Sequence, residues 1–166
     1  MIHRCVRSIR LLAQASTQLE AVETLDLRAC EALQCRSMMC AKFGSACVCK
    51  LSRVVEQCAP RLTALRTLVL ADNELTMVPD SLWGIASLEA VDLSGNILER
   101  VPGGVASLAN LRSLNLRANR ICTADAAGLE SLPPTLRTLR VGGNPAALKE
   151  LQARCAEGGS SAAVIN

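Results

Sequence analysis

The sequence predicts an α/β solenoid: a stack of coils, each with one short parallel strand and one helical or 3₁₀ return segment, closed by a helical cap at either end. Three observations predict it. Asparagine stands at positions 73, 96, 119 and 144, each time eight residues after the leucine that opens the same phrase. The opening residues Leu65, Leu88, Leu111 and Leu136 lie 23, 23 and 25 residues apart. Within a phrase the apolar residues alternate, and after two of the phrases they recur at about every third position. A fixed period with a change of periodicity inside it marks a repeat architecture, in which a unit buries its apolar face only against its neighbours.

Residues 1–21 form the first element. Ile2, Val6, Ile9, Leu12 and Ala13 share one helical face, beside Arg4, Arg7 and Arg10, which suits a helix covering the leucines of the first coil. The stretch 1–18 is also arginine-rich and free of acidic residues, the composition of a mitochondrial presequence, so that reading stands beside the cap. A strand phrase begins immediately afterwards at Val22, with no spacer for processing, which favours the cap.

Residues 22–61 come next. Val22-Glu-Thr-Leu25-Asp-Leu27-Arg-Ala-Cys30 fits the phrase with cysteine in the asparagine place. The 43 residues from Val22 to Leu65 are close to two periods. Phe43-x-x-Ala46-x-Val48-x-x-Leu51 offers a degenerate coil there, and an insertion between two clear repeats is the alternative.

The third element spans 62–151 and holds the phrases Leu65-Arg-Thr-Leu68-Val-Leu70-Ala-Asp-Asn73, Leu88-Glu-Ala-Val91-Asp-Leu93-Ser-Gly-Asn96, Leu111-Arg-Ser-Leu114-Asn-Leu116-Arg-Ala-Asn119 and Leu136-Arg-Thr-Leu139-Arg-Val141-Gly-Gly-Asn144. Alternation makes a short strand whose leucines point inward, because successive strand side chains face opposite sides. The return segments Val78-Pro79-x-x-Leu82-x-x-Ile85-x-x-Leu88 and Val101-Pro102-x-x-Val105-x-x-Leu108-x-x-Leu111 suit a 3₁₀ or helical turn with one buried face. The return from Cys122 to Pro134 is two residues longer and lacks the opening proline, so a distinct loop or a longer helix is expected, with Asp125 as N-cap.

These phrases resemble the leucine-rich repeat, L-x-x-L-x-L-x-x-N-x-L, and the 23-residue period with a proline opening the return resembles its intracellular Ras-suppressor and Scribble-type class. The resemblance covers 62–151 closely and 22–61 loosely. It implies strands on a concave face, asparagines bonded to the turn backbone of their own and adjacent coils, and tolerance of cysteine in the asparagine place. It also implies a noncatalytic protein-interaction module, an adaptor or scaffold in signal transduction.

At the end of the chain, Asn144-Pro145 reads as N-cap and first helical position, with Leu148, Leu151 and Cys155 following at helical spacing. A capping helix over 145–157 is expected, and a flexible tail over 158–166.

Composition narrows the function. The chain has 166 residues and is 50% hydrophobic, enough for one sizeable core. A net charge of +3 and the lack of a basic stretch interleaved with aromatics argue against nucleic acid. No apolar run approaches the roughly 18 residues that a membrane span needs. Six of the nine cysteines crowd between Cys30 and Cys58. The odd total, the repeat phrase before the cluster and the absence of a signal-peptide core point to reduced structural thiols in a cytoplasmic protein. A zinc or redox site through Cys47 and Cys49 is the alternative, although no C-x2-C pair occurs. An enzyme is not expected, because the single histidine, His3, lies outside the repeats, and no phosphate loop occurs. No cofactor is expected.

Function therefore falls to the outward residues of the strands. They form the column Asp26, then Cys47 if the degenerate coil exists, Val69, Asp92, Asn115 and Arg140. Arg28, Ala71, Ser94, Arg117 and Gly142 flank it on one side, and Glu23, Arg66, Glu89, Arg112 and Arg137 on the other. Arg112, Arg117, Arg137 and Arg140, with Arg120 at the rim, suit an acidic protein partner because guanidinium pairs bidentately with carboxylate or phosphate. A solvated basic face is the plain alternative. Trp83, between core positions Leu82 and Ile85, is expected on the outer return side as a second candidate contact.

Overall fold

The computed structural model describes residues 19–30, 49–122, 132–144 and 163–165. Six strands form one parallel sheet in chain order: β1 (Thr24–Asp26), β2 (Thr67–Val69), β3 (Ala90–Asp92), β4 (Ser113–Asn115), β5 (Thr138–Arg140) and β6 (Ala163–Ile165). The pairings Leu25↔Leu68, Leu68↔Val91, Val91↔Leu114 and Leu114↔Leu139 place the middle residue of each phrase in one row. That row is buried, as are Leu27, Leu70, Leu93, Leu116 and Val141. The inward positions expected from alternation are those observed.

Behind the sheet lies the return layer. The 3₁₀ turns Asp80–Gly84 and Gly103–Ser107 each start after a proline, Pro79 with φ −66° and Pro102 with φ −63°. Proline at that point sets φ and directs the chain away from the strand. Three residues per turn keep every third side chain on one side, and Leu82, Ile85 and Leu88 are all buried, as are Val105, Leu108 and Leu111.

Among the described residues the interval between β1 and β2 contains no further strand, and Thr24 pairs directly with Thr67. Residues 43–48 of the degenerate coil lie outside the described residues. The interval holds a helix, α1 (Cys49–Cys58), which packs against the 3₁₀ turns Ala59–Arg61 and Asp80–Gly84. Leu51, Val55 and Cys58 recur at i, i+4 and i+7 and are buried, which is helical and not strand spacing.

Asn73, Asn96 and Asn119 are buried and form the expected ladder. Asn96 Nδ2 donates to the carbonyls of Leu70 and Leu93, both at 2.9 Å, and Oδ1 accepts from the N–H groups of Asn73 and Leu75 at 3.1 and 2.9 Å. Each asparagine thereby satisfies backbone groups that two coils would otherwise bury unpaired. The rung extends to the cysteine-type repeat, where the Cys30 N–H donates to Asn73 Oδ1 at 2.8 Å. At the other end Asn144 also joins it, with Oδ1 accepting from the Ile121 N–H at 3.1 Å and Nδ2 donating to the Leu116 carbonyl at 2.9 Å.

The tail corrects another expectation. Residues 163–165, placed by sequence in a flexible segment, pair in parallel with β5, with Leu139 opposite Val164. The interval from Thr138 to Ala163 matches that from Ser113 to Thr138, so β6 sits one more period along the chain. Without it the open edge of β5 would expose a row of backbone donors and acceptors. At the start, Leu19–Ala21 is a 3₁₀ turn with Leu19 buried, while the capping helix and presequence readings of 1–18 lie outside the described residues. Asp125, the helix over 145–157, and Cys35, Cys40 and Cys47 lie outside them too.

Candidate functional site

The strand register builds the candidate face. It stacks Asp26, Val69, Asp92, Asn115 and Arg140 in one outward column, in the order expected, and Thr24, Thr67, Ala90, Ser113 and Thr138 in the other. Cys47 lies outside the described residues, and β1 and β2 are neighbours in the sheet. Asp26 and Asp92 are separated by Val69 and make no acid and base pair.

Three members of the column close the turn that follows their own strand. Asp26 Oδ1 accepts from the Arg28 N–H at 3.0 Å, and Asn115 Oδ1 from the Arg117 N–H at 3.2 Å. Asp92 Oδ1 accepts from the Ser94 N–H at 2.9 Å and from its hydroxyl at 2.6 Å. These are Asx turns, and the signal for them was present in the sequence as Asp or Asn two residues before each turn N–H. Val69 and Arg140 carry no such acceptor.

The flank containing Arg66 is internally paired. Arg66 Nη1 and Glu89 Oε1 form a close ion pair, and Arg112 Nε lies 3.9 Å from Glu89 Oε2. Exposed pairs of this kind contribute only about 0–1 kcal/mol, so they orient the row more than they stabilise it. On the other flank Ala71 is buried, not outward, since its carbonyl accepts from the Ala29 N–H and from Asn73 Nδ2.

The β4 and β5 end differs in charge. Residues 101–122 and 132–144 contain no aspartate or glutamate, and Arg112, Arg117, Arg120, Arg137 and Arg140 are all exposed. Among the described residues, the guanidinium groups of Arg117, Arg137 and Arg140 have no ion pair and no side-chain hydrogen bond. Arg137 stands beside Arg112, its N–H donating to the Arg112 carbonyl at 2.8 Å, and Arg140 stands beside Asn115. The four arginines grouped by sequence therefore stand on or beside two adjacent strands, Arg112 and Arg137 just before β4 and β5, Arg140 in β5 and Arg117 just after β4.

Trp83 is not part of that face and not exposed. It belongs to the return turn Asp80–Gly84 and is only 5% exposed, within the core cluster. Its ring lies over Gly104 of the next coil, where a Cβ would stand 2.0 Å from Trp83 Cδ1. The expectation of an outward tryptophan fails because the neighbouring coil offers a glycine and leaves room for the ring. With Met77, Val101 and Pro102, Trp83 lines a cleft of about 450 Å³ on the return side, where Met77 is 59% exposed.

Cys58 and Cys122 carry free thiols, the first buried and the second exposed. Burial pushes the Cys58 thiol up, with Arg61 opposing, which keeps it protonated and unreactive. Among the described residues, no three His, Cys, Asp or Glu side chains are grouped to hold a metal ion, and no helix is long and apolar enough to cross a membrane.

Among solved structures, a leucine-rich-repeat protein of Leptospira interrogans aligns with 68% of this chain at 26% identity and a TM-score of 0.56. The fold is that of a leucine-rich-repeat protein. This chain spans 27% of the length of that leptospiral protein. No family model and no curated protein sequence matches it.

Proposed function

We propose that this leucine-rich-repeat chain is a noncatalytic interaction module that binds an acidic surface of a protein partner through its concave strand face. Arg117 and Arg140 are its central contacts, and Arg112 and Arg137 flank them. The observation that carries the reading is that, among the described residues, Arg117, Arg137 and Arg140 have no ion pair and no side-chain hydrogen bond, on coils that hold no described carboxylate. A solvent-exposed guanidinium fork without a carboxylate of its own is ready to accept one bidentately. Solenoids present such extended faces for binding, and interface cores are enriched in arginine. The reading goes with a cytoplasmic setting and an adaptor or scaffold role there, in a compartment that keeps thiols reduced.

The test is capture of partners from the protein's own cells by the intact chain, with mass spectrometry. R117E with R140E should abolish capture of the principal partner and leave the melting transition nearly unchanged, because both side chains are exposed and, among the described residues, form no ion pair. A charge pair desolvated on binding loses about 2–5 kcal/mol when one member is removed. Met77→Glu, in the return-side cleft, is the contrast. A partner retained by the arginine variant and lost by M77E would place binding on the return side and end this reading.

A further inference from the structure

We infer that the strand face selects a charge-polarised segment: an extended peptide with an anionic side chain over Arg140 and Arg117 and a cationic side chain over Asp92, about three residues away. This inference rests on the proposed use of the face for binding and specifies what it binds. The outward column changes sign along the sheet, with Asp92 on β3, the neutral Asn115 on β4 and Arg140 on β5. Adjacent strands lie about 4.8 Å apart, so Asp92 and Arg140 stand about 10 Å apart at their backbones. An extended chain crossing the strands covers that distance in about three residues, at about 3.3 Å each.

The two charges act separately. At physiological salt the screening length is about 8 Å, so a ligand charge over one of them feels chiefly that one. Nor is Asp92 neutralised from the side. By register Arg117, two residues past the Asn115 that pairs with Asp92, is the nearest flank cation, and Arg66 and Arg112 turn to Glu89; among the described residues Asp92 makes no ion pair with any of them. Its Oδ1 takes the Ser94 N–H and hydroxyl, neither of which cancels a carboxylate charge. Val69, next in the column, offers an apolar surface for the methylene stem of a lysine or arginine. A uniformly anionic ligand, whether a polyacidic tract or a nucleic acid, would set negative charge against Asp92.

The experiment passes a library of extended peptides, each with one fixed glutamate and random neighbours, over the immobilised full chain and sequences the retained pool. Lysine and arginine should be enriched about three residues from the glutamate. Asp92→Asn removes the charge yet keeps a turn acceptor, as Asn115 does in the next coil, so it should erase the preference for a cation without changing the melting transition. Arg140→Gln should erase retention of the pool. Each variant should bind the best retained peptide about tenfold more weakly or worse, the lower end of what close interfacial charge pairs contribute. A pool acidic throughout, an empty pool, or a cation preference unchanged in D92N overturns the inference. If the cellular partner is nevertheless lost in R117E with R140E, the face still binds and only its polarity is refuted.

Discussion

Asn96 ties two coils together with one side chain: Oδ1 receives the Asn73 and Leu75 N–H groups, and Nδ2 serves the Leu70 and Leu93 carbonyls. Asn96→Ala would leave several of these groups buried without partners, and each orphaned group costs about 1–3 kcal/mol. Denaturant melts should show at least that loss, and a change under about 0.5 kcal/mol, usual for surface positions, would contradict the ladder. The residue before each ladder position adopts a left-handed conformation, at Ala29, Asp72, Gly95, Ala118 and Gly143. The ladder was legible from the asparagine register alone. The Asx turns at Asp26, Asp92 and Asn115 are less legible, because an outward Asp or Asn suits a binding face as well as a bond to the N–H two residues ahead.

At the level of elements, the return segments show how one coil depends on the next. Trp83 finds a buried site only because the succeeding turn carries Gly104 under the ring. Gly104→Ala places a methyl within the ring's volume and should displace Trp83, costing about 1–3 kcal/mol as overpacked cores do. Trp83 is the single tryptophan of the chain, so its fluorescence reports the displacement directly. A red-shifted emission is expected in the variant, and an unchanged spectrum with unchanged stability would mean that the ring does not lie over Gly104. The helix α1 teaches the same dependence. It takes the place of a coil in the return layer, seating Leu51 and Val55 in the core beside the Asp80–Gly84 turn, while contributing no strand to the face.

For the whole molecule, stability is shared between neighbours, and an uncovered end is its weakness. Truncation after residue 157 removes β6 and opens the edge of β5, so the shortened chain should melt earlier and aggregate more readily. Thermal melts and light scattering would check this, and a truncated protein with the same transition and solubility would restore the flexible tail. The arginine face belongs to this scale too. Arg112 and Arg137 are 25 residues apart in sequence and neighbours in space, and the sheet register alone makes a patch of them.

The amino-acid sequence by itself determined the repeat, its period, the inward and outward sides of each strand through 62–144 and the asparagine ladder. Each of these follows from local periodicity, in which a residue's environment is set by its place in its own phrase. The tertiary structure decided what depends on a neighbouring coil: that β1 pairs with β2 across 43 residues, that 163–165 continue the sheet, that Trp83 is buried, and that Arg66 and Glu89 pair while, among the described residues, Arg117, Arg137 and Arg140 do not. Contacts of that kind are made between side chains a full period or more apart, where no pattern within a single phrase reports whether the partner is a glycine, a carboxylate or another strand.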